Sequence, residues 1–345
     1  MTRIGAAMWI VLLLAAWPPP ACAETSNFEQ GLVSYKAGDC AAALQSFSRS
    51  ERAGENAPER PLYEGICLAT QSQWTIAEEP LATYVNSRPS DPRGWEWLGQ
   101  VRLHARQFAG AKEAIQRSLD LDRGSADAWR ILGEIDLEQS DYNGAYHAWL
   151  EADKLKPSDA RTTYYLGRLF FEADFLNEAA AWFRETLKSD PRHFAAMTYL
   201  GVCAERLNMQ KTALDLYQAA IRESRRQNKP FSWAFVADAR LLRDLGREQE
   251  ALAALEEAEK TCPDAHVLTL LGQMLASSAP DRAEAELRRA IAMDDSIPEA
   301  HYRLALLLRM KRKDAEAESE MQKFRQAKEA GERNKSRIQA IRRAG

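Results

Sequence analysis

The chain has 345 residues, 46% of them hydrophobic and 28% charged, with a formal net charge of −4. These fractions fit a folded helical protein. The mild charge balance excludes a nucleic-acid binder held by a strongly basic surface and a protein with an acidic tail.

The first 23 residues read as a secretory signal. Arg3 supplies a positive start, Ile4 to Trp17 is apolar and uncharged, and Pro18-Pro19-Pro20 stops any helix before an Ala21-Cys22-Ala23 cleavage pattern. The apolar run is shorter than the ~18–20 residues that cross a bilayer. Cleavage near Ala23 would leave an exported chain, periplasmic or membrane-associated in a bacterium. An uncleaved anchor, or a lipoprotein carried on Cys22, are the alternatives. Cys22 lacks a Leu three residues before it, which weighs against lipidation.

From residue 24 a fixed period governs the chain. Gly31, Gly65, Gly99, Gly133, Gly167 and Gly201 stand 34 residues apart, and Ala43, Ala77, Ala111, Ala145, Ala179 and Ala213 keep the same step. Such a period marks stacked copies of one supersecondary unit. In one copy Trp129, Leu132 and Gly133 share a helical face, Ala145, Trp149 and Ala152 share another, and Asp141 lies in the turn between. Gly133 and Ala145 are small where the helices cross, with Trp129 and Trp149 expected on either side, and Pro157 ends the second helix. After Gly201 the step slips at Gln227-Asn228-Lys229-Pro230, and two later copies are about one residue short. About nine repeats fill residues 24–331, followed by a basic extension at 332–345.

The run of Trp, Leu-Gly, Ala, aromatic, Ala and Pro resembles the tetratricopeptide repeat family. The resemblance implies an all-α, right-handed α-solenoid of helix-turn-helix repeats whose first helices line a concave groove. Carried over position by position, it places Trp97, Arg130, Glu134, Tyr164, Arg168, Phe171, Tyr199 and Trp233 in that groove, with Val202, Glu205 and Arg240 beside them. Aromatic and arginine side chains are the types that dominate binding hot spots. The alternative is that some of the rings pack between helices; adjacent Tyr164 and Tyr165 cannot face the same way.

No nucleotide, metal-protease or hydrolase motif occurs, and the five histidines are scattered over different repeats. The paired carboxylates Glu78-Glu79 and Asp294-Asp295 read as solvated residues between helices. No catalytic residue, cofactor or metal is therefore expected. Cys40 and Cys67 fall on helices expected to be antiparallel neighbours, where they either form a disulfide or serve as small buried residues; Cys203 and Cys262 are expected to be unpaired. Lys323 to Arg343 holds eight basic residues against Glu329 and Glu332. This stretch is a polar cap for the last repeat or a site of contact with an anionic surface. The function expected is a non-enzymatic exported scaffold that binds a protein or peptide partner, not nucleic acid, in envelope assembly or secretion. A self-assembling structural repeat protein of the envelope is the alternative.

Overall fold

The computed structural model describes residues 25–344, with side chains as far as residue 329. Regular structure among these residues is α-helical throughout, and the eighteen helices follow one another as nine pairs in an α-solenoid. The chain divides into two compact units, residues 1–105 and 106–345. The first holds α1 (Asn27–Lys36), α2 (Cys40–Arg52), α3 (Arg60–Thr70), α4 (Trp74–Ser87) and α5 (Pro92–His104). The second holds α6 (Phe108–Leu121), α7 (Ala126–Glu138), α8 (Tyr142–Leu155), α9 (Ala160–Glu172), α10 (Leu176–Ser189), α11 (Phe194–Arg206) and α12 (Gln210–Arg226). It continues with α13 (Ser232–Asp244), α14 (Glu248–Thr261), α15 (Ala265–Leu275), α16 (Pro280–Met293), α17 (Pro298–Met310) and α18 (Asp314–Ala344). The leader assigned to residues 1–23 lies outside the described residues.

One contact explains the repeated glycines. A Cβ added to Gly133 would stand 2.3 Å from Trp149 Nε1 and 2.6 Å from Trp149 Cδ1. Gly31 meets Phe47 in the same way, Gly65 meets Leu81, Gly167 meets Phe183 and Gly201 meets Tyr217. The partner always lies sixteen residues on, so a large side chain of the second helix fills the space that a Cβ would need. The periodic alanines beside it are fully buried. The same ring then stacks on the next repeat, with Trp149 5.2 Å from Tyr165 and Phe183 5.2 Å from Tyr199. Phe47 and Tyr63 form the equivalent stack at 6.4 Å. Burial and stacking at one residue thus join the helices of a pair and link that pair to its successor.

Trp129 departs from expectation. It does not share the crossing with Trp149; its Nε1 donates to the Arg123 carbonyl at 3.0 Å. Trp95 makes the same bond to the Pro89 carbonyl at 2.9 Å. Both tryptophans close the link from the preceding repeat, where chain leaving a helix has carbonyls in need of donors.

The turn inside each of the first six pairs is equally regular. Gly38, Ser72, Arg106, Ser140, Asp174 and Asn208 keep the 34-residue step and all have φ between +61° and +80°. The Ser140 and Asp141 amides donate to the Leu137 and Asp136 carbonyls at 2.9 and 2.8 Å. This two-bond closure of a helix end demands a left-handed residue. The slip after Gly201 is absorbed outside the turn: α12 has 17 residues where α8 and α10 have 14.

Two further points differ from the sequence reading. Glu78 and Glu79 lie within α4 rather than between helices, because Trp74 already begins that helix. The basic extension continues α18 as helix, with no break at residue 331. Phe324 of α18 packs 5.2 Å from Tyr302, as expected of a helix capping the last pair. Buried His301 adds a second tie: its Nδ1 lies 2.6 Å from Glu320 Oε2.

Candidate binding groove

The second unit presents two hollows on its first helices. One, of 340 Å³, is walled by Val202, Glu205 and Arg206 of α11 and by Trp233, Ala237 and Arg240 of α13. The other, of 440 Å³, lies over α13, α15 and α17, with Leu270, Gln273, Ile297 and Arg303 among its walls. Val236 and Arg240 border both. Trp233, Val236, Ala237 and Arg240 recur at helical spacing, so a single face of α13 serves the two hollows.

The residues predicted for the groove divide into three groups. Arg130 and Glu134 are corrected from groove residues to structural ones. Arg130 is only 6% exposed. Its Nη2 donates to Asp127 Oδ1 at 3.0 Å, and its Nη1 donates to Glu134. Burial pulls the Arg130 guanidinium down, but Glu134 and Asp127 outweigh it and hold it above the ordinary arginine value. Glu134 also accepts the Tyr165 hydroxyl at 2.9 Å. Three residues of α7 and one of α9 thus satisfy one another.

The second group forms an aromatic cluster over α9, α11 and α13. Tyr199 is its centre, meeting Tyr164 at 5.9 Å, Phe171 at 5.2 Å and Trp233 at 4.4 Å while it stacks on Phe183. Tyr199 is half-buried and occupies the packing position that Tyr165 holds one repeat earlier. Its ring therefore belongs largely to the joint between repeats. Tyr164 adds a contact to His193 at 4.6 Å. Burial raises the Tyr164 and Tyr199 phenols and lowers His193, so these groups are neutral at neutral pH. Arg168 lies beside them, with Nη2 3.4 Å from Glu172 and a buried Nε that has no hydrogen-bond partner among the described residues. Burial pulls its guanidinium down, but its charge couples to the Tyr199 and Tyr164 hydroxyls and holds the group above the ordinary arginine value.

Trp233 of that cluster also lines a hollow, and the third group is Trp97 alone, half-buried on α5 of the first unit. The sequence reading stopped at Arg240 and missed His266, Gln273 and Arg303 further along. Their signal is the same helical spacing, His266, Thr269 and Gln273, read one repeat later. The slip after Gly201 and the shortened copies obscured it.

The remaining candidates lie elsewhere. Cys40 and Cys67 are free thiols set side by side. The Thr70 hydroxyl stands 3.3 Å from Cys40 Sγ. Burial, with Cys40 adding to it, pushes the Cys67 thiol far up. Cys203 and Cys262 are also free. Among the described residues no group of three or more metal-ligating side chains converges, and no helix is long and apolar enough to cross a membrane.

None of the curated proteins compared matches the sequence. Solved structures do match in fold. The chain is similar to the crystal structure of the APC/C hetero-tetramer Cut9-Hcn1, with a TM-score of 0.62 and 17% identity over 82% of this chain. It spans 55% of that chain, about half its length. A tetratricopeptide repeat protein from Parabacteroides merdae gives 0.56 and 16% identity, covering 73% of this chain and 98% of that one. Pseudomonas aeruginosa pilF gives 0.53 and 17%, covering 60% and 92%. At these identities the likeness concerns the fold alone. The repeat-level signal is more direct: the family profile of the tetratricopeptide repeat matches residues 62–126, 98–160, 132–191, 164–228 and 275–332. With the glycine crossings, the left-handed turns and these matches in agreement, the chain belongs to the tetratricopeptide repeat family.

Proposed function

We propose that this chain is an exported, non-enzymatic scaffold that holds an extended segment of a protein partner along the first helices of its second unit. Repeats of this family commonly serve as protein-interaction scaffolds, and the fold is typically non-catalytic. One observation carries the reading: two hollows meet along a single face of α13, with Trp233 and Arg240 on that face. An arginine at the meeting point, with a large ring further along the same face, supplies residue types enriched in binding hot spots. Envelope assembly or secretion in a bacterial periplasm is the setting that the leader pattern at residues 1–23 supports.

Site-specific photo-crosslinking tests the groove. A crosslinking residue at position 273, in the wall of the larger hollow, should capture a distinct protein from envelope extract, whereas one at the exposed Lys188 on α10 should not. Capture from both positions, or from Lys188 alone, would move the site off α13. Concentration-dependent self-association with no captured partner would favour the self-assembling reading.

Export has its own tests. Periplasmic material should begin at Glu24. In an oxidising compartment two adjacent thiols can bridge. Treatment with a disulfide donor such as oxidised glutathione should join Cys40 to Cys67 and release two reduced thiols, leaving Cys203 and Cys262 to be alkylated once the chain is unfolded.

A further inference from the structure

We infer that the segment held in the α11–α17 groove is acidic and partly apolar. The inference rests on the groove reading above and adds the chemistry of the occupant. Arg206, Arg240, Arg243 and Arg303 line the hollows, against Glu205 and Glu299. Glu205 accepts the Tyr217 hydroxyl at 2.6 Å, and Glu299 pairs with Arg303 at 2.5 Å, which leaves Arg206, Arg240 and Arg243 to consider. Arg206 and Arg243 meet Asp174 and Asp244, in pairs whose acids are more than half exposed. Exposed pairs of this kind contribute little and exchange readily for another carboxylate. Arg240 stands apart. It is exposed, borders both hollows, and has no hydrogen bond or ion pair among the described residues.

The floor beneath these arginines is apolar, with Val202, Trp233, Val236, Leu270 and Ile297. An extended chain alternates its side chains between two faces. It can therefore set apolar groups on that floor and carboxylates toward the arginines. Four neighbouring first helices at about 10 Å spacing span roughly 30 Å, the length of about nine extended residues. A long polyanion fits less well. The whole chain carries −4, whereas a short segment senses only charges within a Debye length of about 8–10 Å.

The test uses the full-length chain and fluorescently labelled peptides of about nine residues. Three are compared: one alternating Glu with Leu or Val, its Gln counterpart and its Lys counterpart. The Glu peptide should bind, should weaken as salt rises, and should lose roughly tenfold or more in affinity with Arg240→Glu. Because Arg240 is exposed, circular dichroism of that variant should match the parent. Equal binding of the Glu and Gln peptides, with both lost in Trp233→Ala, would overturn the acidic preference while keeping the groove. Binding of none of the three would overturn both. Displacement of the Glu peptide by a single-stranded RNA of the same length, at equal or lower concentration, would replace the acidic segment with a polyanion.

Discussion

Two stretches of the second unit put different residues at the same place in the repeat. Glu134 directly follows Gly133 on α7, and Arg240 directly follows Ala239 on α13. One turn earlier stand Arg130 and Val236. On α7 the pair has opposite charges and closes on itself, with Asp127 and Tyr165 completing the bonding. On α13 the earlier residue is apolar, and the arginine is left facing two hollows. Availability in this groove is thus a property of local pairs one turn apart, not of the repeat position.

The largest expected effect would disrupt the closed side of the comparison. Gly133→Leu drives a side chain into the Trp149 ring and its bond to the Arg130 carbonyl at 3.1 Å. It should cost about 3 kcal/mol by overpacking; a thermal melt unchanged from the parent would show that the crossing is not tight. Next comes Asp238, buried on the same helix as Arg240, with an Oδ1 that has no partner among the described residues. Burial lifts its carboxyl to about 6, against a downward pull from Arg247. A carboxyl raised in the folded state contributes stability below its unfolded value, and that contribution is lost as pH rises through the folded value. Asp238→Asn should therefore remove a decline of roughly 2 kcal/mol between about pH 4 and pH 7. Denaturant titrations at both pH values would read it, and parallel curves for variant and parent would refute it.

The comparison itself is sharpened by a pair of truncations. Glu134→Ala leaves a buried guanidinium and the Tyr165 hydroxyl short of a partner, and should cost roughly 1–2 kcal/mol. Arg240→Ala should change stability by less than about 0.5 kcal/mol. If both lose the same stability, Arg240 has a structural role that the hollows do not reveal. One change should be a gain. Ser140→Gly relieves a left-handed residue of its Cβ and should stabilise the α7–α8 turn by up to about 1 kcal/mol.

The fold was legible because glycine and alanine leave a periodic mark where backbones cross. Gly133 and Trp149 were readable as a contact from spacing alone. Arg130 was misplaced because only its neighbour-to-neighbour position was considered, although Asp127 and Glu134 stand three and four residues away on the same helix. Tyr199 was placed in the groove without its stack on Phe183, a contact that becomes visible only when the sixteen-residue relation from glycine to ring is extended one step further. The α15 and α17 walls were missed because a register carried by counting fails once the count slips, whereas packing resumes on the next pair.

The regular left-handed turns have a practical consequence. At Gly38, Ser72, Ser140, Asp174 and Asn208 the left-handed residue occupies the same slot in a closed two-bond ring, which fixes how many residues the corner can hold. The chain's own extra length sits instead mostly in α12, whose 17 residues exceed the 14 of α8 and α10, with one further residue in the connector before α13. Length is taken up at the end of a second helix and in the link after it, so an epitope or fluorescent reporter belongs between Lys229 and Pro230, just beyond the two-bond ring that Asn228 closes.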